Sequence, residues 1–178
     1  MCRNRDFVHG PHANAAVRLD SDRAQASTAV PMRHSARMKR SLGDGYELDD
    51  DRDRIDLAAV HAYISLQSYW AKGRPLAMQA EMNRAAARLV GLYRDGEQVG
   101  FTRTALVGGM RVAYLYDVYV LEEHRGRGLG EELVRETVDR GPYADYRWLL
   151  DTTDAHGLYT KFGFRPPNER LMERPRRG

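Results

Sequence analysis

The run Arg125-Gly126-Arg127-Gly128-Leu129-Gly130 sets three glycines on alternate residues beside two arginines. The chemistry this suits is the holding of a phosphate or pyrophosphate. Glycines remove the Cβ atoms that would keep a diphosphate away from main-chain N–H groups, and the arginines add positive charge. The flanks strengthen the reading. Tyr114 to Val120 is rich in aromatic and β-branched residues and closes on Leu121-Glu122-Glu123-His124, which reads as a strand ending in a tight turn. Leu129, Leu133, Val134 and Val138 then recur at helical spacing. Strand, glycine turn and helix aim several N–H groups and a helix N-terminus at one point. The plain alternative is a solvated turn that merely starts a helix.

Two common meanings of such glycines fit poorly. A P-loop needs Lys-Ser or Lys-Thr after its glycines, and none follows. A dinucleotide fingerprint fails at its third glycine, where Glu131 stands. Asp151 does close a strand-like run about twenty residues on, where such folds place a ribose-binding acid. Too little chain remains, however, for the second half of a doubly wound sheet.

A third meaning draws on a second stretch. Arg-x-x-Gly-x-Gly at Arg125, Gly128 and Gly130 resembles the acyl-CoA pyrophosphate loop of the GNAT superfamily of N-acetyltransferases. Asp154-Ala155-His156-Gly157-Leu158-Tyr159-Thr160-Lys161-Phe162-Gly163-Phe164 resembles that family's closing motif, in which a small residue precedes Leu-Tyr and a short link leads to Gly-Phe. The resemblance covers residues 45–170, and the motifs stand in the right order and at the right distance. It implies an α/β (α+β) GNAT fold: a mixed, largely antiparallel central sheet flanked by helices and splayed between the strands at 111–120 and 147–152. Acetyl-CoA would be the co-substrate, its pantetheine arm in the split, with no metal. The implied reaction moves an acetyl group to a primary amine of a small molecule or peptide by direct attack in a ternary complex.

The same resemblance assigns residues. The segment Arg125, Gly126, Arg127, Gly128, Leu129 and Gly130 would hold the pyrophosphate. Main-chain groups of Val118, Tyr119 and Val120 would pair with pantetheine, one N–H polarising the thioester carbonyl. Thr152 stands where the family often carries a cofactor-contacting Asn. Tyr159 matches the tyrosine that protonates the departing thiolate, against its plainer reading as a buried aromatic. Tyr63, Tyr69 and Trp70 fall where the family builds its acceptor wall, and aromatics near a carboxylate suit a cationic amine. At helical spacing, aromatics more often belong to a core.

An alkylamine, with a pKa of about 10, must lose a proton before it attacks. Asp117 is the candidate base, as a carboxylate inside an otherwise apolar and aromatic strand. Strand alternation sets it opposite Tyr116 and Val118, facing either cleft or solvent. His156 or a water chain is the alternative, while His124 and His61 read as surface and helix-face residues. A non-catalytic acyl-CoA-binding or sensing module is the competing function; retention of Tyr159 favours an enzyme.

The elements that must position these groups are legible in outline. Tyr46-Glu47-Leu48 reads as a short strand, and Asp53 or Asp56 as cap of a helix reaching Gln67 through Ile55, Ala59, Val60, Tyr63, Ile64 and Leu66. A second helix follows Pro75 and runs to Arg88. Strands at 90–94 and 98–106 join across Asp95-Gly96, a hairpin signal. A long strand spans 111–120. After the glycine-loop helix come a strand at 148–151, a short helix at 155–162, and the start of a last strand at Phe164-Arg165. The order is β-α-α-β-β-β-α-β-α-β.

Charge locates the domain. The net charge is +3. Residues 1–44 hold eight Lys/Arg against four Asp, giving +4, and the remaining twenty Lys/Arg against twenty-one acids give −1. Residues 1–44 lack apolar periodicity and read as a disordered extension, with the domain at 45–178. A near-neutral domain offers no field for nucleic acid. One cysteine, Cys2, excludes an internal disulfide and a Cys-based metal cluster. No apolar run nears the ~18 residues of a membrane span, and the start lacks a signal-peptide core. A cytoplasmic location is therefore expected, without membrane association, and a homodimer is allowed.

Overall fold

A computed structural model describes residues 37–174 of the protein. A six-stranded sheet carries its strands in chain order: β1 (Lys39–Gly43), β2 (Tyr46–Asp49), β3 (Arg88–Arg94), β4 (Glu97–Leu106), β5 (Val112–Val120) and β6 (Arg147–Leu149). Neighbours are antiparallel except β5 and β6, which run parallel. Helices α1 (Leu57–Leu66) and α2 (Leu76–Ala85) lie between β2 and β3, α3 (Leu129–Val138) between β5 and β6, and α4 (His156–Tyr159) after β6. A parallel pair cannot be closed by a tight turn, so the β5–β6 connection takes a helix.

Local chemistry sets these boundaries. The Asp56 carboxylate accepts from the N–H groups of Ala58 and Ala59 and starts α1. Asp95 and Gly96 both take positive φ, 50° and 93°, as a two-residue hairpin turn requires. One side of the sheet packs Leu129 and Leu133 of α3 against Leu48, Leu92 and Val120. The other packs Val60, Tyr63 and Ile64 of α1 against Leu89, Phe101 and Tyr119. Each such aliphatic side chain contributes about 1.5–3 kcal/mol. Leu66, expected on the same helical stripe, is 72% exposed.

The splay between the central strands is present. Pairing of β5 with β6 ends at Tyr114 and Leu149, while β5 runs on to Val120. Along that outer edge, Leu115 to Val120 has no strand partner among the described residues.

Several boundaries differ from the sequence reading. The second helix, expected to reach Arg88, ends at Ala85, and Arg88 opens β3. Residues 39–43, assigned to the extension, form β1 and pair with β2; the rest of that expectation, residues 1–36, lies outside the described residues. No strand forms at Phe164-Arg165 among the described residues. Pro166 and Pro167 follow immediately and have no N–H to give to a ladder.

A buried ionic group joins α3 to the sheet. Arg88, 7% exposed, donates to Asp50 Oδ2 (3.0 Å), to the Glu136 carbonyl (3.0 Å) and to Glu136 Oε1 (3.2 Å). Arg40 reaches Glu136 Oε2 at 3.1 Å. Removing one partner of a buried pair strands the other charge. Arg88→Met is expected to lower the unfolding free energy by about 3–5 kcal/mol in urea titration; a change below about 1 kcal/mol would show the group to be solvated.

Candidate functional site

The glycine loop is held from behind. A single 3-10 turn at Glu122–His124 leads into it, and His124 Nδ1 meets the Tyr46 hydroxyl at 2.8 Å, so this histidine pins the turn. Arg125 Nε donates to the Val120 carbonyl at 2.9 Å and its Nη2 to the Tyr63 hydroxyl at 3.0 Å. Its side chain thus ties the loop to the core, whereas the sequence reading gave its charge to the ligand. Tyr63 is buried, 7% exposed, and stacks on Tyr119 with centroids 4.0 Å apart. That corrects its placement in an acceptor wall: it is a core residue that holds Arg125.

In front, the loop is open. Gly126 and Gly128 have φ of 74° and 75°, the left-handed region that favours glycine, and nothing lies within 4 Å of where a Cβ would stand. A side chain at either position would fill the cradle. Helix α3 opens at Gly128 without a side-chain cap, so its first N–H groups have no partner within the helix. Arg127 is exposed and makes no ion pair among the described residues. The acids of the first helical turn do not oppose an anion with full charge. Glu131 pairs with Arg135 and Lys161, each at 2.7 Å, and Glu132 with Arg40, Arg135 and Arg140. Such a loop can take a diphosphate.

The unpaired edge of β5 leads directly into this loop, and a bulge breaks the strand on the way. Arg103 of β4 stands opposite Tyr116 and Phe101 opposite Tyr119, so Asp117 and Val118 together oppose Thr102 alone. Asp117 adopts φ 55°, a conformation Asp tolerates better than most side chains. The bulge cancels the expected alternation. Tyr116, Asp117 and Tyr119 all turn toward the α1–α2 side, while Val118 packs with the cluster that contains Tyr159.

Asp117 is not a free base. Its side chain is 1% exposed, with Oδ1 2.9 Å from Arg74 Nη1 and Oδ2 2.7 Å from Arg103 Nε. Burial pushes its carboxyl upward, but Arg103 and then Arg74 outweigh that and hold it below the usual carboxylate range. Both oxygens are engaged, so the carboxylate anchors two arginines, and its lowered pKa makes it a poor base for a substrate proton.

Tyr159 sits at the split, 9% exposed, among Leu115, Val134 and Val138 and edge-on to Phe164. Burial, then Tyr69 and Asp154, push its hydroxyl up to about 12, which keeps it protonated as a donor at neutral pH. Thr152 spends its hydroxyl locally, accepting from the Ala155 N–H at 3.1 Å at the start of α4. His156 is exposed on α4. Tyr69 and Trp70 stand edge to face, 53% and 41% exposed. The Tyr69 hydroxyl donates to Asp154 Oδ1 and accepts from the Thr153 N–H, each at 3.1 Å, bridging the α1–α2 connection to the segment after β6. Tyr69, with Trp70 against its edge, thus joins that connection to the segment after β6.

Sequence reasoning missed Arg74, Arg103, Tyr116 and Asp154. The available signal was Arg103 inside a strand of otherwise uncharged residues from Gln98 to Leu106, since a charge at such a position needs a partner. A recess lined by Arg54, Asp56, Tyr93 and Gln98 includes none of the loop, β5-edge or Tyr159 groups.

Known proteins bear on this arrangement. The sequence model described as the acetyltransferase (GNAT) family matches residues 54–164. A crystal structure from Xanthomonas campestris pv. campestris, of a protein assigned as a GNAT-family acetyltransferase, superposes with a TM-score of 0.66 at 37% identity, covering 73% of this chain and 92% of that one. A protein of Gibberella zeae assigned as an acetyltransferase is 32% identical over 109 residues, and the match spans 60% of each chain. A GNAT acetyltransferase from Brucella melitensis, solved in complex with acetyl-CoA, shares the fold at TM-score 0.57 and 20% identity, over 70% of this chain and 85% of that one.

The Asp117 clamp has a pH signature. Folding lowers its pKa, so its stabilisation is fully present above the unfolded value, about pH 4, and is lost as pH falls through the folded value. The melting-temperature gap between wild type and Asp117→Asn should accordingly be widest near pH 7 and shrink toward pH 3. A gap that does not depend on pH would mean that shape, not charge, accounts for the loss.

Proposed function

The chain belongs to the acetyltransferase (GNAT) family, and from that premise we propose that it transfers an acetyl group from acetyl-CoA to a primary amine of a small molecule or peptide. Both substrates are bound together and the amine attacks directly. The observation that carries this reading is the juxtaposition of an open, uncapped glycine loop with an unpaired β5 edge and a buried, protonated tyrosine at the split.

Acetyl-CoA supplies the activated acetyl thioester; the chain supplies the rest. Main-chain N–H groups from Gly126 to Gly130 bind the diphosphate, with Arg127 as the free cation beside them. Val118, Tyr119 and Val120 offer main-chain groups to the pantetheine arm, as a missing strand would be received. One of their N–H groups stabilises charge on the carbonyl oxygen. Tyr159, held neutral by burial, gives its proton to the leaving sulfur. With Asp117 committed to its arginines, the amine's proton leaves through solvent at the cleft rim, where His156 and Asp154 are exposed. Tyr69 and Trp70 take the apolar part of the acceptor at that rim. A cytoplasmic location belongs to the same proposal.

Two substitutions test it. Gly128→Glu sets a carboxylate in the cradle and should abolish acetyl-CoA binding in calorimetry while the protein stays folded; undiminished affinity would remove the loop from the site. Tyr159→Phe deletes one hydroxyl and should lower turnover by roughly 10²-fold with acetyl-CoA affinity held, on the scale of a lost general acid. Wild-type binding of acetyl-CoA without acetyl transfer to any amine would instead favour a sensing module.

A further inference from the structure

The Arg74–Asp117–Arg103 group sets two cations against one anion in a nearly dry place. The three side chains are 13%, 1% and 7% exposed. Arg74 is well used, since its Nη1 also donates to Gln79 Oε1 at 2.7 Å. Arg103 is not. Its Nε donates to Asp117, and among the described residues neither Nη1 nor Nη2 has a protein acceptor, although a guanidinium carries five N–H donors in a rigid fork. Those nitrogens are not sealed in, because among the described residues the side-chain polar atoms that are both buried and unpartnered are Arg40 Nη2, Gln98 Nε2 and Thr102 Oγ1. Solvent reaches the fork although the side chain around it is covered.

The exposed neighbour identifies the side from which it is reached. The guanidinium lies 4.5 Å from the centre of the Tyr116 ring. Tyr116 is 36% exposed and stacks at 4.2 Å on Tyr114, whose hydroxyl bonds Asp151 just beyond β6. This is the wall of the split. Tyr116 and Val118 flank the bulge at Asp117, so the fork and the main-chain groups proposed for the thioester belong to the same short stretch of β5.

We propose that Arg103 is the acceptor-recognition residue, and that the acceptor amine also carries a carboxylate or phosphate that receives the free guanidinium fork. The inference rests on the acetyl-transfer reading above and narrows its substrate class. A planar fork matches two oxygens of a carboxylate or phosphate. Asp117 holds that fork in place through Nε, and Tyr116 supports its face. An acceptor with an amine alone would leave the buried donors without an acceptor of their own charge class, so the site discriminates by what it would leave unpaired.

The test uses the full chain, saturating acetyl-CoA and amines in matched pairs differing only in the anionic group. Tyramine with tyrosine, cadaverine with lysine, and the other amino acids with their decarboxylated counterparts probe the carboxylate. Ethanolamine with its phosphate ester, and glucosamine with glucosamine 6-phosphate, probe the phosphate. Free CoA release is the readout. At least one anionic member should exceed its neutral partner by tenfold or more in kcat/KM, and the arm in which it falls identifies the anion. Arg103→Gln should raise KM for that acceptor at least tenfold more than for its neutral partner, and Arg103→Lys should recover part of the difference. Equal or better use of the neutral members, or no turnover of any anionic member by protein that binds acetyl-CoA, would overturn the inference. So would an Arg103→Gln effect that falls equally on kcat and on both members of a pair, which marks a structural role. If Arg103→Gln does not fold, the wild-type pairs still decide. Absence of acetyl-CoA binding in calorimetry would overturn the acetyl-transfer reading itself, and is distinguishable from every result above.

Discussion

A single left-handed residue in the middle of β5 organises the candidate site. Asp117 at φ 55° costs about 1–2 kcal/mol relative to ordinary strand geometry, and it persists because its buried carboxylate closes two ion pairs. Downstream of it the side-chain alternation of β5 is reversed. Tyr119 rejoins the α1 face, Val120 packs under α3, and Val118 faces the Tyr159 cluster. Without the bulge, odd spacing would send Tyr116 and Tyr119 to opposite faces, and the stacked pair Tyr63–Tyr119 would be lost. Since Tyr63 also holds Arg125, the conformation of the glycine loop depends on the same bulge.

The loop shows how a turn suited to a phosphate is made rigid without spending its own donors. Its restraints come from outside: Tyr46 on His124, Tyr63 and the Val120 carbonyl on Arg125. The main-chain N–H groups facing outward are left for a ligand, and the two glycines keep their approach clear. Charge is arranged to the same end. The first-turn acids of α3 would repel an anion, yet each is matched by Arg or Lys from β1, from α3 itself or from the segment after α4. Those pairs also fasten Lys161, two residues past Tyr159, to the helix that opens the cradle. A ligand bridging loop and split would therefore meet parts already fixed relative to one another.

Much of this was legible in the residues. The Asp95-Gly96 hairpin, the α3 stripe of Leu129, Leu133, Val134 and Val138, and the strand–glycine–helix order all follow from local preferences and periodicity, and all are present. The splay also followed, through the family resemblance. Three features were not legible for particular reasons. β1 is a short Lys-Arg-Ser-Leu-Gly stretch whose strand character comes from pairing with β2, a contact local propensity does not encode. Tyr63 and Tyr69 look alike in sequence, yet one is stacked in the core and the other stands at the rim. Asp117 reads as a lone carboxylate in an apolar strand because its partners lie 14 and 43 positions away.

By itself the sequence pointed to a loop suited to a diphosphate and, through the family resemblance, to acetyl transfer, because glycine conformational freedom, helix-terminus donors and an aromatic hydroxyl are properties of short segments. Only the tertiary structure decided which side chains are free to act. Whether a carboxylate is a base or an anchor, and whether an arginine is a ligand, a staple or an open fork, depends on what else is within about 3 Å of it and on how much water remains. On that ground alone Asp117 and Arg125 differ from their expected roles and Arg103 gains one. Charged groups carry no fixed function in a chain; burial and partners assign it.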